Sequence, residues 1–366
     1  MAEEVDAGQV AEALGISICL LLAVRLKDVA GSAFQQAMDS SADLAQVVAW
    51  LSQACDLLDS ATWVEMGQLW SSALKSIEAE AKAAGRKADS AVAKESKEAA
   101  RKKVAEALKP LCEPSSVRLV MADGTWADIT TAWRTMQAEA AAQSTLTAEA
   151  WIEEYTNLLG SKGVGIVTGD SGVREIGGEV RRACFEAAMS AADDVCRATA
   201  LSCGMDACQI SVHGMCAPDH LPHQGKVYTL AELERLNESL PRPIGRGVMN
   251  CRHSLLYCFS GSSSNYTASE LREFERQSTR SVTFRGVSGK ELTMSAYEAT
   301  QYLRKTELRI RKTKQTRMLK KTAGLDVSKY DAAIEKSTAE YKRLCSDLGE
   351  NYSESRITAY TLADLS

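Results

Sequence analysis

Apolar residues recur at helical spacing over the first hundred positions of the chain. They step by three or four positions at Leu44, Val47, Leu51, Ala54 and Leu58. A repeat near 3.6 residues predicts amphipathic helices, and the lack of proline before position 110 agrees with an all-helical region. The same criterion predicts five further helices, over 130–142, 147–159, 173–203, 295–322 and 327–348.

A change of pattern separates 77–108 from the helices before it. This segment alternates alanine with charged residues, which is typical of a long exposed helix or a semi-rigid spacer. Gly85 is its weakest point, and Pro110 and Pro114 end it. We therefore expect the N-terminal helices to form an arm that binds a partner.

Short β signals interrupt the helical pattern. Asp123-Gly124 after the apolar run 117–121 predicts a hairpin, because both residues tolerate the positive φ angles of tight turns. A second hairpin is predicted over 282–293, and a β-like segment over 208–213. Ser295 and Glu298 have the spacing of a capping box, which predicts a helix start at this point.

These elements predict an α+β fold that is predominantly α-helical. We expect a helical N-terminal region at 1–110, with its Ala/charge-rich helix or spacer. An α+β core containing the histidines and cysteines is predicted at 115–262. A hairpin and a basic helical region, ending in a C-terminal helical hairpin, are predicted at 263–366.

Composition places the chain among ordinary globular proteins. Of 366 residues, 45% are hydrophobic and 25% charged, which argues against wholesale disorder. The longest apolar stretch, 16–24, is too short to span a membrane and predicts a buried helix. Eleven cysteines without a secretory start favour a reducing compartment, with buried free thiols at Cys19, Cys55, Cys112, Cys184 and Cys196.

A glycine-rich turn at 160–165 superficially resembles a phosphate-binding loop. Its lysine precedes the second glycine, and no Gly-Lys-Ser/Thr ends it. The turn therefore does not predict nucleotide binding.

All four histidines lie between positions 213 and 253. His213, His220, Cys251 and His253 offer the nitrogen and thiolate ligands that zinc accepts in tetrahedral sites. Their spacing is not that of a standard zinc finger, so three interpretations stay open. The side chains bind a structural zinc ion, or hydrogen-bond the backbone and brace two strands, or act as a thiol or metal-dependent hydrolase or nuclease.

The histidine window also resembles a known family. It combines Ser-x-His, Pro-x-His and Gln-Gly-Lys-Val-Tyr with a later Asn-Cys-Arg-His, an order similar to the signature of the tailed-phage minor capsid protein 2 family, related to Mu-like phage head morphogenesis proteins. The motif positions beside the metal candidates are Pro218, Gln224, Gly225, Lys226, Asn250 and Arg252. The similarity covers about 147–320.

The resemblance implies a structural minor head protein rather than an enzyme. Such a protein would lie in the capsid interior or at the portal vertex, and in the host cytoplasm during assembly. Its expected partners are the portal protein, the major capsid protein or both, with packaged DNA as a further partner. No cofactor is required beyond the zinc left open above.

A basic segment over 301–321 supplies the predicted contact to a polyanion or the portal. It carries nine basic residues and one acidic residue, a local charge of +8 in a chain of −5. The alternative is a helical hairpin whose basic face pairs with acids of the next helix, such as Asp331, Glu335 and Glu340. The nine are Arg304, Lys305, Arg309, Arg311, Lys312, Lys314, Arg317, Lys320 and Lys321.

Overall fold

The computed structural model describes residues 7–30, 40–109, 113–142, 145–167, 172–245, 251–286 and 289–364. Ten α-helices lie within these residues: α1 (Ala7–Ala30), α2 (Ser40–Ala83), α3 (Ser90–Leu108), α4 (Ile129–Ala141), α5 (Thr145–Lys162), α6 (Ile176–Ser202), α7 (Leu230–Ser239), α8 (Ala268–Thr279), α9 (Ala296–Thr322) and α10 (Ser328–Leu348). The strands are β1 (Val117–Val120), β2 (Trp126–Asp128), β3 (Val164–Val167), β4 (Val173–Glu175), β5 (Ala207–Ile210), β6 (Val227–Thr229), β7 (Leu255–Cys258), β8 (Ser281–Arg285) and β9 (Glu291–Ser295).

The strands form small antiparallel sheets. One sheet has the order β2-β1-β3-β4, a second has the order β6-β5-β7, and β8 pairs with β9 alone. Helices account for most of the described chain, so the predominantly α-helical α+β prediction is confirmed. Within the described residues, no helix is both long enough and apolar enough to cross a bilayer.

Helix α6 lies at the centre of the main core. Its buried positions are mostly small, including Cys184, Ala188, Ala191 and Ala192. Small side chains let neighbouring helix axes approach closely, and α1, α2 and α3 all pack against α6. The helix thus joins the N-terminal helices to the sheet β6-β5-β7, which begins after it.

The N-terminal region departs from the predicted arm and spacer. The chain does break at Gly85, which has φ of +68°, but α3 is not exposed on all sides. Its Ala100, Val104 and Leu108 are buried, because they form one apolar face against α6. The N-terminal helices are therefore part of the protein body. The division into three regions stays a prediction.

Both predicted hairpins are present. Val120 pairs with Trp126, and Gly124 takes φ of +83° in the connection. The predicted long helix over 173–203 is shorter at its start, because residues Val173–Glu175 pair with β3 as β4. Polar alternation over only three residues is too short to distinguish this strand from a helix turn.

The C-terminal helical hairpin is also confirmed. Ser295 and Glu298 form the capping box at the start of α9, and α10 folds back against α9. Between them, Tyr341, Leu344 and Ile310 belong to a second apolar core. This core holds the basic helix in place from one side.

The cysteines follow the predicted pattern with one exception. Cys19, Cys184 and Cys196 are buried free thiols. Cys55 instead is disulfide-bonded, which corrects its assignment as a free thiol. Cys112 lies outside the described residues.

Gly160 marks the place where α5 and α9 cross. It lies in α5, and a Cβ there would come within 2.1 Å of Thr316 Oγ1 and 2.9 Å of Thr316 Cα in α9. Gly165 in β3 has a similar role, because a Cβ would lie 2.9 Å from the Trp126 ring. Close packing therefore accounts for Gly160 and Gly165.

We predict that Gly160→Ala destabilises the protein by about 1–3 kcal/mol, because the added methyl group overpacks the α5–α9 crossing. Urea unfolding measures the change. Gly67→Ala in α2 is the matched control, since a Cβ there meets nothing within 4 Å and alanine favours a helix by up to about 1 kcal/mol. Equal stability of Gly160→Ala and wild type would contradict the close crossing.

Candidate functional site

The sheet β6-β5-β7 brings the distant histidines together. Strand β5 runs antiparallel to β7, with Ile210 opposite Leu255. The pairing continues past the strands, because Ser211 N–H donates to Ser254 O at 3.0 Å. His213 follows β5 and His253 precedes β7, so both side chains lie at the same end of the sheet, with ring centres 4.4 Å apart.

The loop between β5 and β6 supplies further side chains that can bind a metal ion. It contains Met215 with φ of +58° and a short 3₁₀ turn at Leu221–His223, which together fold the loop back toward His253. The fold places Cys216 and His220 in its interior. Gly225 closes the loop with φ of +72°, and its N–H donates to Ile210 O at 2.9 Å.

The four predicted ligands form one cluster around the His253 ring. Cys251 Sγ lies 3.5 Å from His253 Nδ1 and 3.7 Å from His220 Nδ1. The His220 and His253 rings meet edge to face at 5.3 Å between centres. His213 lies on the other side of the His253 ring.

Two members of the cluster were not among the predicted ligands. Cys216 Sγ lies 3.6 Å from His253 Nε2. The Gln224 side-chain oxygen accepts a hydrogen bond from the His213 backbone N–H at 2.8 Å and lies 3.3 Å from His253 Nε2. The His213-x-x-Cys216 spacing was the sequence signal for Cys216, whereas nothing in the sequence shows where an amide such as Gln224 points.

Backbone carbonyls fix the tautomers of two of the histidines. His220 Nε2 lies 2.8 Å from Arg242 O, and His213 Nδ1 lies 2.9 Å from Gly214 O. A carbonyl only accepts, so each of these ring nitrogens carries the proton. The other nitrogen of each ring therefore presents a lone pair, and His213 Nε2 is buried without a hydrogen-bond partner.

A charged pair holds the loop that carries the His220 acceptor. The Arg242 guanidinium donates to the Asp219 carboxylate, at 2.9 Å from Nε to Oδ2. Burial favours the protonated carboxyl of Asp219, but the contacts with Arg242 outweigh it, so the pKa of Asp219 is lowered from its usual value. The ion pair thus joins Asp219, the neighbour of His220 in the sequence, to Arg242. The carbonyl oxygen of Arg242 orients His220.

Burial favours the uncharged forms of four side chains in the cluster. Burial lowers the pKa of His253 to about 3 and also lowers the pKa of His213. Burial raises the pKa of Cys216 to about 12 and raises that of Cys251. The two imidazoles and the two thiols are therefore neutral near neutral pH when no cation is bound.

The other motif positions lie around the cluster. His223 Nδ1 is 2.9 Å from the Tyr228 hydroxyl, and Lys226 is exposed. Pro218 and Arg252 are exposed as well. Asn250 lies outside the described residues.

The nine basic residues of α9 separate into two sets. Four form ion pairs within the protein: Arg311 with Glu12 at 2.9 Å, Lys314 with Glu354 at 3.3 Å, Arg317 with Asp331, and Lys320 with Glu153 at 3.3 Å. A fifth, Lys321, is exposed near the end of the helix. Lys320 is 1% exposed, so the structure removes it from the predicted contact set.

The remaining four occupy one side of the helix. At 100° per residue, Arg304, Lys305, Arg309 and Lys312 fall within a sector of about 140°. Arg304, Lys305 and Arg309 are exposed, and the weak Arg309–Glu340 contact is 3.9 Å long. We call these four residues the cationic face.

A family model described as phage minor capsid protein 2 matches residues 22–345. The match includes the whole histidine window, the sheet β6-β5-β7 and the basic helix. Searches of the curated proteins and of the solved structures found no match.

We predict that Gln224→Ala lowers the free energy of unfolding by about 1–3 kcal/mol, because the buried His213 N–H loses its acceptor. Urea denaturation of the purified chain measures this loss. Lys226→Ala, two residues away and exposed, serves as the control and should stay within about 0.5 kcal/mol of wild type. Equal effects of the two substitutions would show that Gln224 does not support the cluster.

Proposed function

Because this chain belongs to the phage minor capsid protein 2 family, it is a structural component of a phage virion, and we propose that it acts at the inner capsid surface or the portal vertex. There it contributes to head assembly and to the packaging or delivery of DNA. The contact to DNA is made by the cationic face of α9. The portal protein and the major capsid protein are its partners in the shell.

The observation that carries this proposal is the segregation of charge on α9. The helix pairs Arg311, Lys314, Arg317 and Lys320 with acidic residues of the protein, whereas Arg304, Lys305 and Arg309 of the cationic face are exposed. Arg304 to Lys312 span about 12 Å along the helix axis. Successive phosphates of one DNA strand are 3.4 Å apart along the duplex axis, so this length covers three to four phosphates.

The surface beside the cationic face is concave. A cleft of about 410 Å³ is lined by Lys305, Arg309 and Lys312 together with Leu308 and Tyr330. Lys312 Nζ donates to Ser161 O at 2.8 Å, which ties this lysine to a second residue of the cleft lining. A concave cationic surface concentrates positive potential on a phosphate backbone.

The rest of the chain is acidic, and this charge directs the proposed DNA contact to the cationic face. The segment 301–321 carries +8 while the whole chain carries −5, so the other residues sum to −13. An acidic body is repelled by packaged DNA, and the cationic face is attracted to it. The protein therefore meets DNA through one surface rather than coating it.

Burial of the histidine cluster opposes the alternative of a metal-dependent hydrolase or nuclease. His220, Cys251 and His253 are at most 5% exposed. A catalytic metal needs an open position that substrate and water reach. We therefore propose a non-enzymatic role.

We predict that the triple variant Arg304→Gln, Lys305→Gln, Arg309→Gln loses most of its affinity for duplex DNA. Neutralising four phosphates gives a slope of log K against log salt of about −3.6, and the variant should retain about one quarter of that slope. Fluorescence anisotropy with a labelled duplex of arbitrary sequence, at several salt concentrations, measures both quantities.

The control removes the same number of charges elsewhere. Lys82 on α2, Lys87 between α2 and α3, and Lys94 on α3 are all exposed. Their replacement by glutamine should leave the salt slope unchanged. Equal loss in the two triple variants would mean that net charge alone drives binding. Loss of binding to purified portal protein instead of DNA would assign the cationic face to the portal.

A further inference from the structure

We propose that the histidine cluster is a structural zinc site, with His220 Nδ1, Cys251 Sγ, His253 Nδ1 and Cys216 Sγ as its ligands. The site lies inside the β5–β6 loop, against the start of β7. It is independent of the DNA contact on α9. Its function is to join three separate parts of the chain that the small sheet alone holds weakly.

The spacing of the first three ligand atoms fits tetrahedral zinc. Zinc–sulfur bonds near 2.3 Å and zinc–nitrogen bonds near 2.0–2.1 Å place S and N ligands about 3.5 Å apart at the tetrahedral angle. Cys251 Sγ is 3.5 Å from His253 Nδ1 and 3.7 Å from His220 Nδ1. These three residues therefore need little movement to share one ion.

The hydrogen bonds outside the ligands have the orientation that zinc sites require. A histidine ligand donates its other N–H to a carbonyl or similar acceptor. His220 Nε2 meets Arg242 O at 2.8 Å, and His253 Nε2 faces the Gln224 oxygen at 3.3 Å. The Gly245 N–H donates to Cys251 Sγ at 3.4 Å, a contact that stabilises a thiolate.

We choose the fourth ligand by the charge that the metal ion needs around it. A divalent cation in a dry interior is costly unless its charge is neutralised. Cys251 supplies one thiolate. Cys216 is 1% exposed and lies 3.6 Å from the opposite nitrogen of the His253 ring, in a neighbouring group with His213, so its Sγ has to move around that ring to supply the second thiolate. Two thiolates and two imidazoles make a neutral Cys₂His₂ site, a common structural set for zinc.

The alternative donor is His213. Its Nε2 is buried and without a hydrogen-bond partner, so it lies beside the cluster with a lone pair to offer. Binding through His213 in place of Cys216 would leave the ion with a net charge of +1. The count of sulfur ligands distinguishes the two sets.

The test is the zinc content of the full chain, purified without chelators and measured by elemental analysis. We expect one zinc per chain in wild type, and its loss in Cys251→Ala and Cys216→Ala. Cys208→Ala is the matched control, because it removes a buried thiol from β5 and should keep the full zinc content. Gln224→Ala should weaken zinc binding by about 10–100-fold as the partner of a ligand.

A second measurement does not depend on variants that fold. Wild type exchanged into cobalt should show tetrahedral d–d bands and a thiolate charge-transfer band, and zinc K-edge absorption should give two sulfur ligands. Chelation should lower the melting temperature, and zinc but not magnesium should restore it. Wild type without zinc, without cobalt bands and without response to chelation would overturn the site, and a single sulfur ligand would overturn the ligand set.

Discussion

The close packing around helix α6 is the constraint on which the rest of the structure depends. Its small buried residues let α1, α2 and α3 approach from several sides, and its last turn leads directly into β5. Arg86, beside the break between α2 and α3, donates to Cys203 O at 2.8 Å and stacks on Phe259 at 4.9 Å. The N-terminal helices, the end of α6 and the segment after β7 are thereby tied together, which fixes the base of the sheet that carries the histidines.

Local signals in the sequence predicted the elements well, because their causes are local. The capping box of Ser295 and Glu298, the Asp123-Gly124 turn and the helical periodicity of α9 and α10 act within a few residues. The errors have the opposite origin. The alanine-rich α3 looks solvated by composition, and only its contact with α6 shows that Ala100, Val104 and Leu108 form a buried face.

The candidate sites also combine features with local causes, which the sequence predicts, and features that depend on distant contacts. Histidine clustering in the sequence identified four members of the buried site, but the part played by Cys216 and Gln224 depends on how the β5–β6 loop folds over His253. On α9 the sequence counts nine cations without showing their partners. Arg311 pairs with Glu12, which lies 299 positions away, so no local pattern distinguishes it from an exposed arginine such as Arg304.

The buried cluster and the cationic face have different roles, one within the chain and one at its surface. The cluster fixes a loop inside one chain, whereas the cationic face is directed outward from a hairpin that α1 and α5 support. In the proposed function, DNA contacts the cationic face, and the acidic remainder of the chain faces other components of the shell. Crosslinking of DNA to protein in intact phage heads, followed by mass spectrometry, tests this arrangement most directly. The account predicts nucleotide adducts on the peptides containing residues 304–312 in DNA-filled heads and none in empty heads, whereas adducts confined to other parts of the chain would contradict it.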